Sequence, residues 1–379
     1  MKPLRVGLIG AGDIMRATHM NGWTALRQAG RVDLAAACDI RREAAESLAR
    51  EHQVPRVFED FGEMFRKVDL DLVDIATPNL FHAPAALAAL KAGCHVYCEK
   101  PLAPTPADVA RLIAARDKAG KRLMTGQHMR FEGKHEALKR YADAGVLGEV
   151  YYAHVAALRR RGAPGWGAFL TRRLSGGGPL IDIGVHILDL TLWMMGFPRP
   201  VAVSGVAPTK LAGRPGIVNR PGWGDWRTGL ATASPWQAGR PQVFDVEDFA
   251  AGFVRFAGGA VLYLETSFLL NIMEEEIWKS TVCGTGGGMD ITAGKVMTQE
   301  HGIVRMSELQ NFEQPQPHAA AIMAFVESIE KGTPVPVPPE ETLYVMSILD
   351  GIYRSHAKGG AEVKIDVAPL PREGKKRRK

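Results

Sequence analysis

Arg5-Val6-Gly7-Leu8-Ile9-Gly10-Ala11-Gly12-Asp13-Ile14-Met15 is the stretch whose reading decides the fold. An apolar, β-branched run gives way to two glycines and then to a helical pattern, the order in which a parallel strand passes through a tight turn into a helix. Gly10 allows the turn, and Gly12 lets a pyrophosphate approach the backbone at the positive end of the helix. Asp13 and Ile14 open that helix and would border the same phosphates. Met15 stands where a third small residue would let helix and strand pack most closely, which predicts a wider spacing. Asp13 places negative charge by the phosphates unless it caps the helix.

The pattern repeats downstream. Strand-like runs at 32–38, 72–76, 95–98 and 122–125 alternate with helical patterns such as 42–51 and 83–92, the latter stopped by Gly93. That alternation predicts βαβ units and a doubly wound parallel sheet. Asp39 ends the second strand, 24 positions after Met15. This is near the ~20-residue offset at which a carboxylate accepts hydrogen bonds from the adenosine ribose. It favours NAD; the 2′-phosphate of NADP would meet like charge, partly offset by Arg41 and Arg42. An ordinary helix cap is the other reading of Asp39.

After about Gly126 the texture changes. One helix, 133–144, precedes strand-like runs at 150–158, 250–256, 260–268, 279–283 and 288–291, which predicts a largely antiparallel sheet. Two helices follow, at 318–330 and 339–356. Residues 207–244, rich in Gly, Pro, Trp and Arg, read as a long loop. The segment Gly284-Thr285-Gly286-Gly287-Gly288 lacks the Gly-Lys-Ser/Thr ending of a phosphate loop and reads as a turn. The division is therefore 1–126 for the dinucleotide domain, 127–360 for a substrate and oligomerisation domain, and 361–379 for a C-terminal segment with a basic tail.

Of 379 residues, 46% are hydrophobic and 23% charged, enough for a sizeable core. No run of ~18 apolar residues suits a membrane span, and no secretory leader opens the chain, so the expectation is a cytoplasmic protein without membrane contact. Cys38, Cys94, Cys98 and Cys283 are too few and scattered for a disulfide framework, and read as thiols. The formal charge of +6 resides mostly in the terminus, where residues 372–379 carry six basic residues against Glu373. A solvated tail explains that without a nucleic-acid partner.

A dehydrogenase needs a proton acceptor for the hydroxyl and a positive group for the developing oxyanion. Lys100, in Glu99-Lys100-Pro101, lies just past a strand's carboxyl end, where ligands of open α/β sheets bind. Asp182 and His186, in Asp182-Ile183-Gly184-Val185-His186, are four apart and so share a helix face; Asp182 would orient His186 and raise its basicity. Read alone, the pair also fits an ordinary helical hydrogen bond. A metal needs more ligands than these two and Asp189, so none is expected.

These segments together resemble the Gfo/Idh/MocA oxidoreductases, the family of glucose-fructose oxidoreductase and the inositol dehydrogenases. The resemblance rests on Gly10 and Gly12, Ala76-Thr77-Pro78-Asn79 with His82, Glu99-Lys100-Pro101, Gly148-Glu149-Val150, Asp182 to His186, and Ile352-Tyr353-Arg354-Ser355. It implies an N-terminal Rossmann domain joined to an α+β domain built on a large, mostly antiparallel open sheet, assembled as a homodimer or homotetramer. It implies Lys100, Asp182 and His186 as the catalytic set, with His186 the acid/base, and Thr77, Pro78, Asn79, His82, Glu99 and Gln127 beside the cofactor. The substrate it implies is a sugar, glycoside or cyclic polyol, exchanging hydride with NAD. Arg130, Arg159, Arg160, Arg161, Trp166 and Arg172 are the polar and aromatic candidates to hold it; surface arginines and a packing tryptophan are the plainer reading of each. Two other functions remain open: a tightly held NAD recycled during glycoside cleavage, and a non-catalytic NAD-binding regulator.

Overall fold

The computed structural model describes residues 2–165, 167–220 and 244–370. Six parallel strands form the first sheet: β1 Leu4–Ile9, β2 Val32–Cys38, β3 Val57–Phe58, β4 Leu72–Ile75, β5 His95–Glu99 and β6 Leu123–Gly126. Their order, β3-β2-β1-β4-β5-β6, reverses between β1 and β4. At such a switch point the connections leave to opposite faces of the sheet and open a crevice at the strands' carboxyl ends.

The intervening helices are α1 Met20–Gln28, α2 Arg42–His52, α3 Phe61–Lys67, α4 His82–Lys91 and α5 Pro106–Ala119. All four residues of β4 are buried, as expected of a parallel strand covered on both faces. Val73, Ile75 and Val96 pack with Ala85, Ala86 and Ala89 of α4, while Val6, Leu8 and Leu72 pack with Trp23 and Leu26 of α1. Two-residue β3 escaped the sequence reading because it is too short to show a period.

The second half contributes α6 Gly133–Asp143, β7 Val150–Arg159, α7 Arg172–Ser175, α8 Val185–Met194, β8 Pro200–Val206, β9 Phe249–Phe256, β10 Val261–Ser267, β11 Glu276–Gly284, β12 Gly287–Asp290, β13 Lys295–Glu300, β14 Ile303–Glu308, α9 Pro317–Lys331, α10 Pro339–His356 and β15 Val363–Lys364. The sheet order is β14-β13-β12-β11-β7-β10-β9-β8-β15. Within this sheet, among the described residues, only β7 and β10 pair in parallel, so the mostly antiparallel sheet is as expected. α8 and α10 cover one face. The other is open, with Phe253 and Met297 exposed beside buried Val254 and Val296.

The glycine stretch 284–288 joins β11 to β12 as a turn. Two strands lay unread in the sequence at 295–308: every residue of β14 is exposed, so no alternation marked it. The C-terminal segment also differs from a free tail, because Val363 and Lys364 pair with Val203 and Ala202 of β8. Its basic residues, 372–379, lie outside the described residues, as do 221–243 of the long loop.

The two halves share a core. α9 returns to the first sheet, where Phe325 packs on Tyr97 and the backbone of Ala319 presses on Gly22 of α1. Arg31–Glu330 and Arg116–Glu340 ion pairs flank that contact. All four cysteines are free thiols. Among the described residues no helix is long and apolar enough to cross a membrane.

Candidate active site

The glycine turn forms as its sequence predicts, for a steric reason. Gly10 has a φ of +94°, and a Cβ there would stand 2.6 Å from the Ala76 carbonyl oxygen, where the ends of β1 and β4 touch. A Cβ on Gly12 would meet nothing within 4 Å, so the turn is open on the side where a pyrophosphate would lie. Asp13 and Ile14 are exposed at the head of the helix.

Asp39 holds this turn in place. Its Oδ2 accepts from the Ala11 N–H at 2.8 Å and its Oδ1 from the Arg41 N–H at 2.9 Å. The carboxylate thus ties the turn to the start of α2 and keeps lone pairs for a ribose. Asp39 is not the cap of α2: Arg41 holds that position and no side chain caps the helix there, so the carboxylate braces the turn from the crevice side. Arg41 lies alongside, 3.8 Å from the Asp39 carboxylate.

The helix then widens into a π turn, Met15–His19, with Met15 fully buried. His19 points inward, its Nδ1 2.8 Å from Asp74 Oδ2 and its Nε2 3.0 Å from Glu99 Oε1. Trp23 donates to the same Asp74 oxygen at 2.6 Å. Burial opposes a charge on His19, but the Asp74 and Glu99 carboxylates outweigh it and raise its pKa to about 10. Burial likewise opposes charge on Glu99, and the His19 imidazolium overcomes that, lowering Glu99 to about 2. Glu99 is therefore the floor of the crevice rather than an open rim residue.

Two loops carry the reacting groups. The His82 ring nitrogens lie 2.7 Å from the Pro101 and Thr77 carbonyls, so this buried ring ties Thr77-Pro78 to the Lys100-Pro101 loop, whose peptide is cis. Asn79 reaches across to the Ser175 carbonyl at 2.8 Å. The Lys100 ammonium donates to the Asp182 carbonyl at 3.0 Å and to its Oδ1 at 3.2 Å. Lysine and aspartate, 82 positions apart in sequence, thus meet at the crevice.

One expectation is corrected. Asp182 neither orients His186 nor raises its basicity: residues Leu180–Gly184 form a π turn and the Asp182 carboxylate faces Lys100. Helical i,i+4 pairing needs 3.6 residues per turn, which the π turn abolishes. His186 is half-buried with its Nδ1 enclosed and unpartnered, and its pKa lies well below the usual value through burial, then through the nearby Lys100 charge. The imidazole is a neutral base.

Beside it stand two histidines that the sequence reading did not single out. His128 packs edge-on against His186 with ring centroids 4.9 Å apart, and stacks on His318 at 3.9 Å with 18° between planes. Burial, then His318, lowers His128 to about 3. Three rings from distant stretches leave no sequence signal.

Thr77 Oγ1 and both polar atoms of the Gln127 amide are buried without a hydrogen-bond partner. Together with the open side of Gly12 and the spare lone pairs of Asp39, these atoms line the carboxyl ends of β1, β2, β4 and β6, a donor and acceptor set that fits a dinucleotide. No group of side chains among the described residues suits a metal.

The predicted substrate arginines are otherwise employed. Arg130, 3% exposed, is bidentate on Asp189 at 2.6 and 2.7 Å and also pairs with Glu341, so it is a buried cross-link rather than a pocket residue. Arg161 binds the Arg160 and Leu270 carbonyls and Asn271, and Arg160 binds the Met273 carbonyl. Arg159 pairs with Glu276 at 2.9 Å and is close enough to lower His186. Arg172 lies over Tyr353 and 3.6 Å from Glu247. Trp166 lies outside the described residues.

Glu247 was missed altogether. Fully buried, its Oε1 accepts from Gly178 N–H at 2.9 Å, Leu180 N–H at 3.2 Å and Tyr353 O–H at 2.7 Å. It caps the helix that bears Asp182 and His186, at its positive end. A Cβ on Gly177 or Gly178 would overlap Tyr353 or Glu247, so the glycine run and Tyr353 were its signals.

The chain matches two family models, an oxidoreductase family with an NAD-binding Rossmann fold over residues 4–127 and that family's C-terminal alpha/beta domain over 139–365. It is 33% identical to the D-glucoside 3-dehydrogenase of Escherichia coli over 96% of this chain and 98% of that one. It is 31% identical to the levoglucosan dehydrogenase of Pseudarthrobacter phenanthrenivorans over 70% of this chain and 68% of that one. A crystal structure of aldose-aldose oxidoreductase from Caulobacter crescentus complexed with glycerol aligns with a TM-score of 0.74 at 26% identity, covering 96% of this chain and 99% of that one.

Proposed function

The chain belongs to the Gfo/Idh/MocA family of NAD-binding oxidoreductases, and from that premise we propose that it oxidises a secondary hydroxyl of a glycoside or cyclic polyol, with Lys100, Asp182 and His186 as the catalytic set. The observation that carries the reading is the meeting of the Lys100 ammonium with Asp182 at 3.2 Å, in the pocket whose charge His186 feels.

When bound, NAD supplies the hydride acceptor. His186, neutral through burial, takes the hydroxyl proton. Lys100 donates to the same oxygen and supports the charge that builds as the proton leaves. Asp182 holds the Lys100 ammonium in place. Asp39 receives the adenosine ribose, and Gly12, Thr77 and Gln127 border the rest of the dinucleotide. The resemblance to D-glucoside 3-dehydrogenase makes the C3 hydroxyl of a glucoside the first position to test.

The open face of the nine-stranded sheet, with Phe253 and Met297 exposed, is the surface we assign to a homodimer. Four free thiols fit a reducing cytoplasm. The test is NAD reduction against a panel of glucosides, inositols and free sugars. His186→Ala abolishes turnover and leaves NAD affinity unchanged; undiminished turnover removes His186 from the chemistry.

A further inference from the structure

The residue between the two glycines of the phosphate turn is gripped at both ends. Asp39 Oδ2 accepts from the Ala11 N–H at 2.8 Å, and Arg16 Nε donates to the Ala11 carbonyl at 3.1 Å. The same guanidinium donates through Nη2 to the Ala44 carbonyl of α2 at 2.8 Å and through Nη1 to Glu51 at 3.0 Å. Arg16 therefore ties the turn to α2. The Ala11–Gly12 peptide is trans and planar, so the Ala11 carbonyl and the Gly12 N–H point in opposite directions. Holding the carbonyl aims the N–H away from Arg16.

That hold matters because the usual support is missing. In the common glycine turn a third small residue lets helix and strand pack closely and so steadies the loop between them. Here Met15, wholly buried, occupies that position, and the helix opens as a π turn closed by the Met20 N–H on the Met15 carbonyl. An i→i+5 turn is wider than an α turn and forgoes the close packing. A peptide flanked by glycine on each side of Ala11 has few steric limits of its own, so its direction must be set by bonds. Arg16, the second residue of the π turn, supplies them. Its charge goes to Glu51 and two carbonyls, and its side chain is 26% exposed.

We propose that Arg16 is a positioning residue for the cofactor: by holding the Ala11 carbonyl against α2 it aims the Gly12 N–H into the open side of the turn, toward the pyrophosphate of NAD. Arg16 thus does by hydrogen bonding what a third small residue does by packing. This concerns NAD binding alone and holds for any substrate.

The test uses the full-length protein and reads binding rather than turnover. Calorimetry gives the affinity for NAD. Displacement of NADH, followed by its fluorescence, gives the affinities for ADP-ribose, which keeps the pyrophosphate, and for adenosine, which lacks it. Arg16→Met keeps the apolar stem and loses every donor, so NAD and ADP-ribose each bind about tenfold more weakly, the loss of one good hydrogen bond, while adenosine stays within about twofold. Arg16→Lys keeps the charge but has no fork to reach both carbonyls, and binds NAD at least about fivefold more weakly than the parent. Glu51→Gln removes only an exposed ion pair and stays within about twofold. Thermal unfolding reports folding, and Arg16→Gln replaces Arg16→Met if that variant does not fold. The proposal is overturned if Arg16→Met binds NAD like the parent, if adenosine weakens in step with ADP-ribose, if Arg16→Lys restores full affinity, or if Glu51→Gln is as damaging as Arg16→Met.

Discussion

Removing the Glu247 carboxylate is expected to disable the enzyme without touching its cofactor site. One oxygen, Oε1, takes three hydrogen bonds inside the protein, from Gly178, Leu180 and Tyr353. Truncation by Glu247→Ala leaves two backbone N–H groups and a hydroxyl buried and unsatisfied. At about 1–3 kcal/mol each, the sum is about 3–9 kcal/mol before any relaxation. That is a large share of a typical ~5–15 kcal/mol folding stability, so the helix start is expected to shift rather than bear it. Asp182 lies four residues past Gly178, and a displacement of ~1 Å at a reacting group costs ~100-fold in rate. Glu247→Gln keeps the accepting oxygen and loses only the charge, 3.6 Å from a half-exposed Arg172. Its kcat is expected to stay within about threefold of the parent, while Tyr353→Phe, short of one bond worth ~0.5–1.5 kcal/mol, falls between the two. The assay is steady-state NAD reduction with KM for NAD followed in parallel. A folded Glu247→Ala protein with parental kcat would refute the reasoning.

Two further outcomes follow from the charges. Asp39→Ser frees the Ala11 and Arg41 N–H groups and removes the negative charge from the ribose pocket, so kcat/KM with NAD should drop at least about tenfold while that with NADP rises; an unchanged cofactor ratio would count against Asp39. Stability should peak near neutral pH. His128 and His135 are held neutral, at about 3 and about 4, so the unfolded chain takes up protons first and each costs about 2 kcal/mol by pH ~5. His19 acts in the opposite sense: its contribution is full below pH ~6.5 and drains away as pH rises through about 10. Thermal unfolding between pH ~5 and ~10 checks this, and a midpoint rising steadily across that range would exclude a charged His19.

Much of the architecture was legible because its signals are local. β1 with Gly10 and Gly12, the alternation through β6, and the strands of the second sheet that bury one face all carry a period or a glycine. β3, β13 and β14 carried none: β3 is two residues long, β13 buries only Val296, and β14 is exposed throughout. Lys100, Asp182 and His186 were singled out from motifs, and the fold brings Lys100 onto Asp182 rather than Asp182 onto His186, because the π turn at 180–184 rotates Asp182 away from His186. The arginines misled for a general reason: a guanidinium suits a sugar and an internal carboxylate equally, and sequence does not reveal that Asp189 and Glu341 had already claimed Arg130. Glu247, His128 and His318 act through contacts between distant segments, which only the folded chain brings together.

The most direct trial of the account is a crystal structure of the full-length enzyme with NAD and a neutral glucoside. The account predicts one sugar oxygen within hydrogen-bonding distance of both the Lys100 ammonium and the His186 ring, with its carbon about 3–3.5 Å from the nicotinamide. A sugar bound on the far side of the nicotinamide from Lys100 and His186 would contradict it.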